Sequence, residues 1–320
     1  MFEMINIFDF FGNYIYRTMT IGTFMIGLVS GSLGSIIYVR KQSLMSDVVG
    51  HSAIFGVMAG FIIASTMFGI DGRSMIVLVI GSLVAGGLAM VLANFISHHS
   101  PVRIDAAMAI VLAFFFGGGM SLFSYILNST IPNRGGLSEY LFGNASTMTW
   151  LDIQTIYGFG IIIVIVMVAL WKEIKLFSFD VAYCESQGFP MKVLNPLVSA
   201  IVVLAIVVGL KAAGLVLMVA FAIIPPAAAR QWTNRLSTMM VVSGVIGAFG
   251  SVLGSYLSVS IGNIPTGPMI VITLSGIFFF SLLFAPGRSV VMRQVVRRRK
   301  RKAILDEITH HVNASQGGHI

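Results

Sequence analysis

An acid and an imidazole stand four residues apart near the start of a long apolar run, Leu44-Met45-Ser46-Asp47-Val48-Val49-Gly50-His51-Ser52-Ala53-Ile54-Phe55-Gly56. On a helix, that spacing puts Asp47 and His51 on one face, one turn apart. Ionisable groups within a membrane-spanning helix are costly and by default mark a substrate path. A carboxylate and a neutral imidazole are also two ready ligands for a divalent transition metal. The other five histidines lie elsewhere: His98 and His99 in a polar turn, and His310, His311 and His319 near the C-terminus. Among the acids, Asp47 is the embedded one, while Asp105 and Asp152 fall at the entrances of apolar runs. The alternative for the pair is a structural Asp–His hydrogen bond between packed helices.

The elements that must carry this pair are apolar helices. The chain of 320 residues is 57% hydrophobic and 10% charged, with a mean hydropathy of +0.93. Soluble domains carry about a quarter charged residues. Several runs reach the ~20 residues that cross a bilayer core, and they are continuous rather than alternating as in a membrane barrel. The fold class is therefore all-α, a polytopic helical membrane protein. Nine spans are expected, at about 18–39, 44–68, 74–97, 103–127, 152–171, 193–210, 212–233, 237–260 and 268–285. The sixth and seventh form one nearly unbroken stretch, interrupted around Gly209-Leu210-Lys211. Eight spans with a re-entrant segment is the other reading. Residues 1–17 form an extracytoplasmic N-terminal segment, 18–285 the transmembrane domain and 286–320 a basic cytoplasmic tail.

Most of the net charge of +8 comes from Arg297-Arg298-Arg299-Lys300-Arg301-Lys302, directly after the last apolar run. That is the place of a cytoplasmic anchor at lipid headgroups, not of nucleic-acid binding. With this run inside, 16 Lys and Arg fall on the cytoplasmic side, and four (Arg17, Arg73, Arg134 and Lys211) fall outside. The expected orientation is N-terminus out and C-terminus in. One cysteine, Cys184, rules out an internal disulfide framework. No Gly-x-x-x-x-Gly-Lys-Ser/Thr loop occurs, so nothing points to ATPase chemistry in this chain.

Between spans, residues 128–151 hold the turn-forming Ile131-Pro132-Asn133-Arg134-Gly135-Gly136 on the outer side. On the inner side, Asp180 can cap a short helix over about 180–187, with Gly188 as its C′ residue and Pro190 as its stop. Mixed apolar and charged, that helix suits a partner's groove or a plain interfacial position. Pro225 and Pro226 are expected to break or kink the seventh span and to serve as a gate, because each removes a backbone donor and crowds the preceding turn. The many glycines read as helix-packing faces.

Five stretches resemble the permease subunit of the bacterial ABC importers for manganese, zinc and iron(II), the metal-chelate uptake family. They are Tyr38-Val39-Arg40-Lys41 through His51; Arg103-Ile104-Asp105-Ala106-Ala107-Met108-Ala109-Ile110 to Phe116-Gly117; Tyr140-Leu141-Phe142-Gly143-Asn144 with Met148-Thr149; Val208-Gly209-Leu210-Lys211-Ala212-Ala213-Gly214 through Pro225-Pro226-Ala227-Ala228-Ala229-Arg230-Gln231-Trp232; and Pro265-Thr266-Gly267-Pro268 with Leu283-Phe284-Ala285-Pro286. The chain departs from the family at Ser46, where glycine is common, and at Phe55, where proline is common.

The resemblance implies a permease pair in the bacterial plasma (inner) membrane. Its implied partners are a second permease copy, two cytoplasmic ATP-hydrolysing subunits and an extracytoplasmic metal-binding protein. It implies that Asp47 and His51 contact the ion in transit. It further implies that the 178–190 segment is the coupling helix on the ATPase, with Phe179, Asp180, Ala182, Glu185 and Gly188 at that contact. No permanent cofactor is expected; the dication is cargo, manganese first, with zinc or iron(II) possible. The alternatives are a permease for a metal chelate or vitamin and a stand-alone secondary transporter. The expected span leaves a tension: Asp47 lies six residues past Lys41, roughly 9 Å along a helix, which puts it in the inner third of the bilayer.

Overall fold

The structure is a computed structural model that describes residues 7–70, 72, 74–129, 131, 135, 137, 145, 148–179, 181–188, 191–262 and 264–285. Asp180, Pro190, the Tyr140–Asn144 stretch, most of the 128–151 connection and the basic run lie outside the described residues. The helices are α1 (Ile7–Gly12), α2 (Tyr14–Val39), α3 (Leu44–Ile63), α4 (Met75–His99), α5 (Ile104–Asn128), α6 (Trp150–Ala169), α7 (Trp171–Phe179), α8 (Val181–Ser186), α9 (Met191–Trp232), α10 (Leu236–Ile261) and α11 (Thr266–Phe284). A π-helical turn, Ala64–Phe68, extends α3. Among the described residues, eight helices are long and apolar enough to span a membrane, and Pro196–Leu210 is a shorter apolar helix.

α2 sits at the centre, packed on α10, α9 and α6. Small residues let the backbones touch. A Cβ on Gly27 would lie 2.5 Å from the Gly247 carbonyl oxygen. Ser243 Oγ donates to the Gly31 carbonyl at 2.6 Å. α3 pairs in the same manner with α4, Gly56 against Gly81, and Ser82 Oγ donates to the Ala53 carbonyl at 3.3 Å. α6 starts at a capping box in which the Thr149 and Asp152 side chains and backbones satisfy one another.

Two expectations about helix breaks need correction. The chain does not break at Gly209-Leu210-Lys211, nor at Pro225 and Pro226. Within α9 the single non-helical residue is Gly214, at φ 74° and ψ 168°, a backbone region open to glycine alone. Gly209 packs against Met218, although nine residues of straight helix would separate them by roughly 13 Å. The chain therefore doubles back at Gly214 into two arms, 191–213 and 215–232. The second arm keeps helical dihedrals through both prolines. Proline's fixed φ fits a helix; what it forfeits is a hydrogen bond to the carbonyl four residues earlier. For Pro226 that carbonyl belongs to Ala222, and Gly34 of α2 comes so close to it that a Cβ there would overlap its oxygen. Glycine at 34 thus lets α2 pack directly on the carbonyl that Pro226 leaves without its helical donor.

Two further segments are more structured than expected. The first span begins at Tyr14 rather than 18, and α1 precedes it with Phe10 buried and stacked on Tyr16 at 5.5 Å. The 172–192 connection holds a whole helix, α7, before the expected short one, α8. α7 buries Ile174 and Phe177. Gly188 has the left-handed φ of 81° foreseen for a C′ residue.

Candidate functional site

Asp47 lies in the first turn of α3 and His51 one turn on. Both are half-buried. Val48, Val49, Gly50, Ser52, Ala53 and Ile54 around them are buried. The partly open positions 47, 51, 55 and 59 recur every four residues, so α3 presents one stripe: carboxylate, imidazole, phenyl, methyl. Phe55 is seated over Gly118 and Gly119 of α5 and meets Phe115 edge-on at 5.4 Å. Beyond it, an apolar groove of about 380 Å³ runs between α3 and α4, with Phe55, Ala59, Val84 and Leu88 in its walls.

The imidazole is oriented by the backbone. His51 Nδ1 lies 2.8 Å from the Asp47 carbonyl oxygen. A carbonyl oxygen only accepts, so Nδ1 carries the proton and donates. In the neutral ring, Nε2 then holds the lone pair that a metal requires. The ring edge packs on Phe116 at 4.8 Å, which limits its rotation. The side-chain hydrogen bond between Asp47 and His51 is therefore not the one formed; the imidazole uses the peptide and leaves the carboxylate to other partners.

The pair sits deeper than the sequence suggested. Phe116 is the middle residue of the 25-residue α5. Val49 packs beside Gly86, near the middle of α4. The outward apolar residues of α4 run from Ile76 to Phe95, roughly 28 Å of helix, close to the ~30 Å of a hydrocarbon core. Their centre falls at Gly86. α3 starts well inside the level at which α4 ends, because the α2–α3 turn is sunk into the bundle. Asp47 and His51 thus lie near the middle of the apolar belt, which removes the tension over depth.

Among the described residues, no group of three or more His, Cys, Asp or Glu side chains converges. One chain offers two ligands at this point. Asp152, the other buried acid of the spans, is committed to its capping box with Thr149 at 2.8 Å. Of the coupling residues expected from the sequence, Phe179 ends α7 exposed, Ala182 and Glu185 lie on α8 and Gly188 follows it. Glu185 and Tyr183 are exposed, while Cys184 is buried against the bundle. Sequence reasoning met Arg40 within a family-like stretch but gave neither it nor Phe177 a role of its own. The Arg40 guanidinium lies 4.1 Å from the centroid of the Phe177 ring. A signal was there: Trp171, Ile174 and Phe177 recur at the helical interval of three.

A model of the ABC 3 transport family matches residues 13–285. The chain belongs to this family. It is 34% identical over 281 residues to the manganese transport system membrane protein MntC of Bacillus subtilis, covering 88% of this chain and 63% of that protein. It is 32% identical over 297 residues to the zinc transport system membrane protein TroC of Treponema pallidum, covering 93% and 97%. The structure of PsaBC from Streptococcus pneumoniae in complex with Fab matches with a TM-score of 0.77 at 27% identity, over 90% of this chain and 98% of that one. Within the ABC 3 family, the all-helical fold and the membrane-spanning permease role therefore hold for this chain, and the site on α3 is read within that frame.

Proposed function

We propose that this permease forms the membrane path of an ATP-driven importer for a divalent transition metal, manganese(II) first, with zinc(II) or iron(II) accepted. One observation carries the reading: a carboxylate and an imidazole with Nε2 available share the partly open stripe of α3 near the middle of the apolar belt. Two ligands hold an ion weakly. A second copy of the chain, facing this stripe across a two-fold axis, doubles the set to four. Such a site admits a dication and still releases it, as conduction requires. Carboxylate plus imidazole suits manganese(II), iron(II) and zinc(II) alike, and the manganese and zinc relatives favour the first and last.

ATP hydrolysis belongs to separate cytoplasmic subunits, which dock on α8. The exposed Phe179, Tyr183 and Glu185 support this, with Asp180, Ala182 and Gly188 completing the contact. The metal arrives from an extracytoplasmic binding protein. Arg40, Lys41, Arg103, Lys172, Lys175, Arg230 and Arg235 cluster at the end of the bundle that α8 occupies. Under the positive-inside rule that end is cytoplasmic, which leaves the N-terminus outside and the C-terminus inside.

The test is manganese uptake in cells lacking other importers, with zinc(II) and iron(II) as competitors. Wild-type permease restores uptake only alongside an active ATPase subunit. Uptake that persists with an inactive ATPase contradicts the importer reading. Asp47→Ala and His51→Ala variants that both transport normally contradict the site.

A further inference from the structure

Arg40 and Phe177 belong to neither the ion site nor the exposed face of α8, yet they join the two. Arg40 is the C-cap of α2, its N–H bonded to Ile36 O and Tyr38 O. Four residues separate α2 from α3, and Asp47 follows within the first turn. That turn has little slack. Lys41 adopts φ 58°, the one non-glycine left-handed residue among those described, a conformation that costs about 1–2 kcal/mol. The Gln42 N–H closes the turn on Ile37 O at 3.0 Å, the long bond of a Schellman end. On the other side, Phe177 is buried and stands two residues before Phe179, at the point where α7 hands over to α8. Burial pushes the Arg40 guanidinium down to about 10, so it remains charged at neutral pH. A desolvated cation over an aromatic face is among the stronger forms of that contact.

We infer that the Arg40–Phe177 contact is a positioning element that transmits movement of the α7–α8 segment through the strained α2–α3 turn to the start of α3, where Asp47 and His51 sit. The inference rests on the reading of α8 as the ATPase contact. A shift of α8 carries Phe177, Phe177 carries Arg40, and the tight turn passes the displacement to α3. Neither residue touches the ion.

The experiment uses the whole complex in proteoliposomes: permease, ATPase subunits and manganese-loaded extracytoplasmic protein. Manganese(II) uptake and phosphate release are read together. Arg40→Gln and Phe177→Leu are expected to raise the ATP consumed per ion by about 2- to 30-fold, the range for side chains that carry coupling. Arg40→Lys and Phe177→Tyr, which keep a cation and a ring, restore the ratio. The double variant Arg40→Gln/Phe177→Leu is no worse than the more severe single variant, because both remove one contact. A purely structural role lowers assembly, uptake and hydrolysis together and leaves the ratio unchanged; that result overturns the inference. Equal loss in Phe177→Tyr and Phe177→Leu overturns it as well. Where Arg40→Gln does not assemble, Phe177→Leu decides. The underlying reading fails separately: Tyr183→Ala and Glu185→Ala would then leave ATPase co-purification intact. If they weaken co-purification while Arg40→Gln leaves the ratio untouched, only the Arg40–Phe177 inference falls.

Discussion

α2 and α3 are consecutive, apolar, glycine-containing helices, and they do opposite things. α2 is enclosed on nearly every side; the hydroxyls of Thr18, Thr20, Thr23 and Ser32 fold back on carbonyls of their own helix. Gly27, Gly31 and Gly34 serve contact with α10 and α9. α3 uses Gly56 and Gly60 in the same way against α4, and seats Leu215 of α9 on Gly50, but leaves a stripe partly open, and that stripe carries Asp47 and His51. Hydropathy measures how well a helix suits the bilayer. On the function proposed above, what separates a packing helix from one that offers ligands is whether its polar groups are spent internally. On α2 they are. On α3 the imidazole spends Nδ1 on the peptide, and among the described residues Nε2 has no partner.

The comparison breaks most sharply at the stripe itself. Asp47→Ala and His51→Ala should each reduce manganese uptake by more than the ~10- to 100-fold typical of losing a metal's outer-shell partner, while thermal unfolding of the purified permease changes little. Uptake assays beside melting curves check both halves. The reciprocal change is Gly27→Leu on α2. The side chain has no room against Gly247, and overpacking costs about 1–3 kcal/mol or more. Here the permease loses stability and yield, and uptake falls only in proportion to the protein present. If uptake per molecule falls while stability holds, α2 is more than a packing helix.

Much of this contrast was legible in the residues. Asp47 and His51 stood out because charge inside an apolar run is rare, and their four-residue spacing placed them on one face. The end of the short helix before Gly188 followed from glycine's preference for the C′ position. Depth was not legible, because it depends on how far the α2–α3 turn sinks beside α4, which packing decides. The break in α9 went to Gly214 rather than to the stretch around Lys211. A charge suggests an interface, but a reversal within one residue needs a backbone only glycine permits, and Gly209 was taken up by packing on Met218. The local cost of the prolines was visible in the sequence, and the close approach of Gly34 to the Ala222 carbonyl was not. α7 was missed because its charged residues masked a short apolar period.

Smaller effects sharpen the picture. Ser243→Ala removes the bond to Gly31 O and should destabilise by about 0.6 kcal/mol, the mean for hydrogen bonds between membrane helices, with uptake unaltered. Lys41→Gly relieves the left-handed strain but adds chain entropy, so the net stability change stays under about 1 kcal/mol. Denaturant titrations of the purified permease resolve the sign of each.

The central claim is that His51 Nε2 and the Asp47 carboxylate hold the ion. Pulsed electron paramagnetic resonance on manganese(II) in the purified complex tests it directly, because an imidazole ligand couples its nitrogen spin to the metal. The account predicts an imidazole nitrogen coupling in the wild type that disappears in His51→Ala. Bound manganese(II) without that coupling, or with the same coupling in His51→Ala, would contradict it.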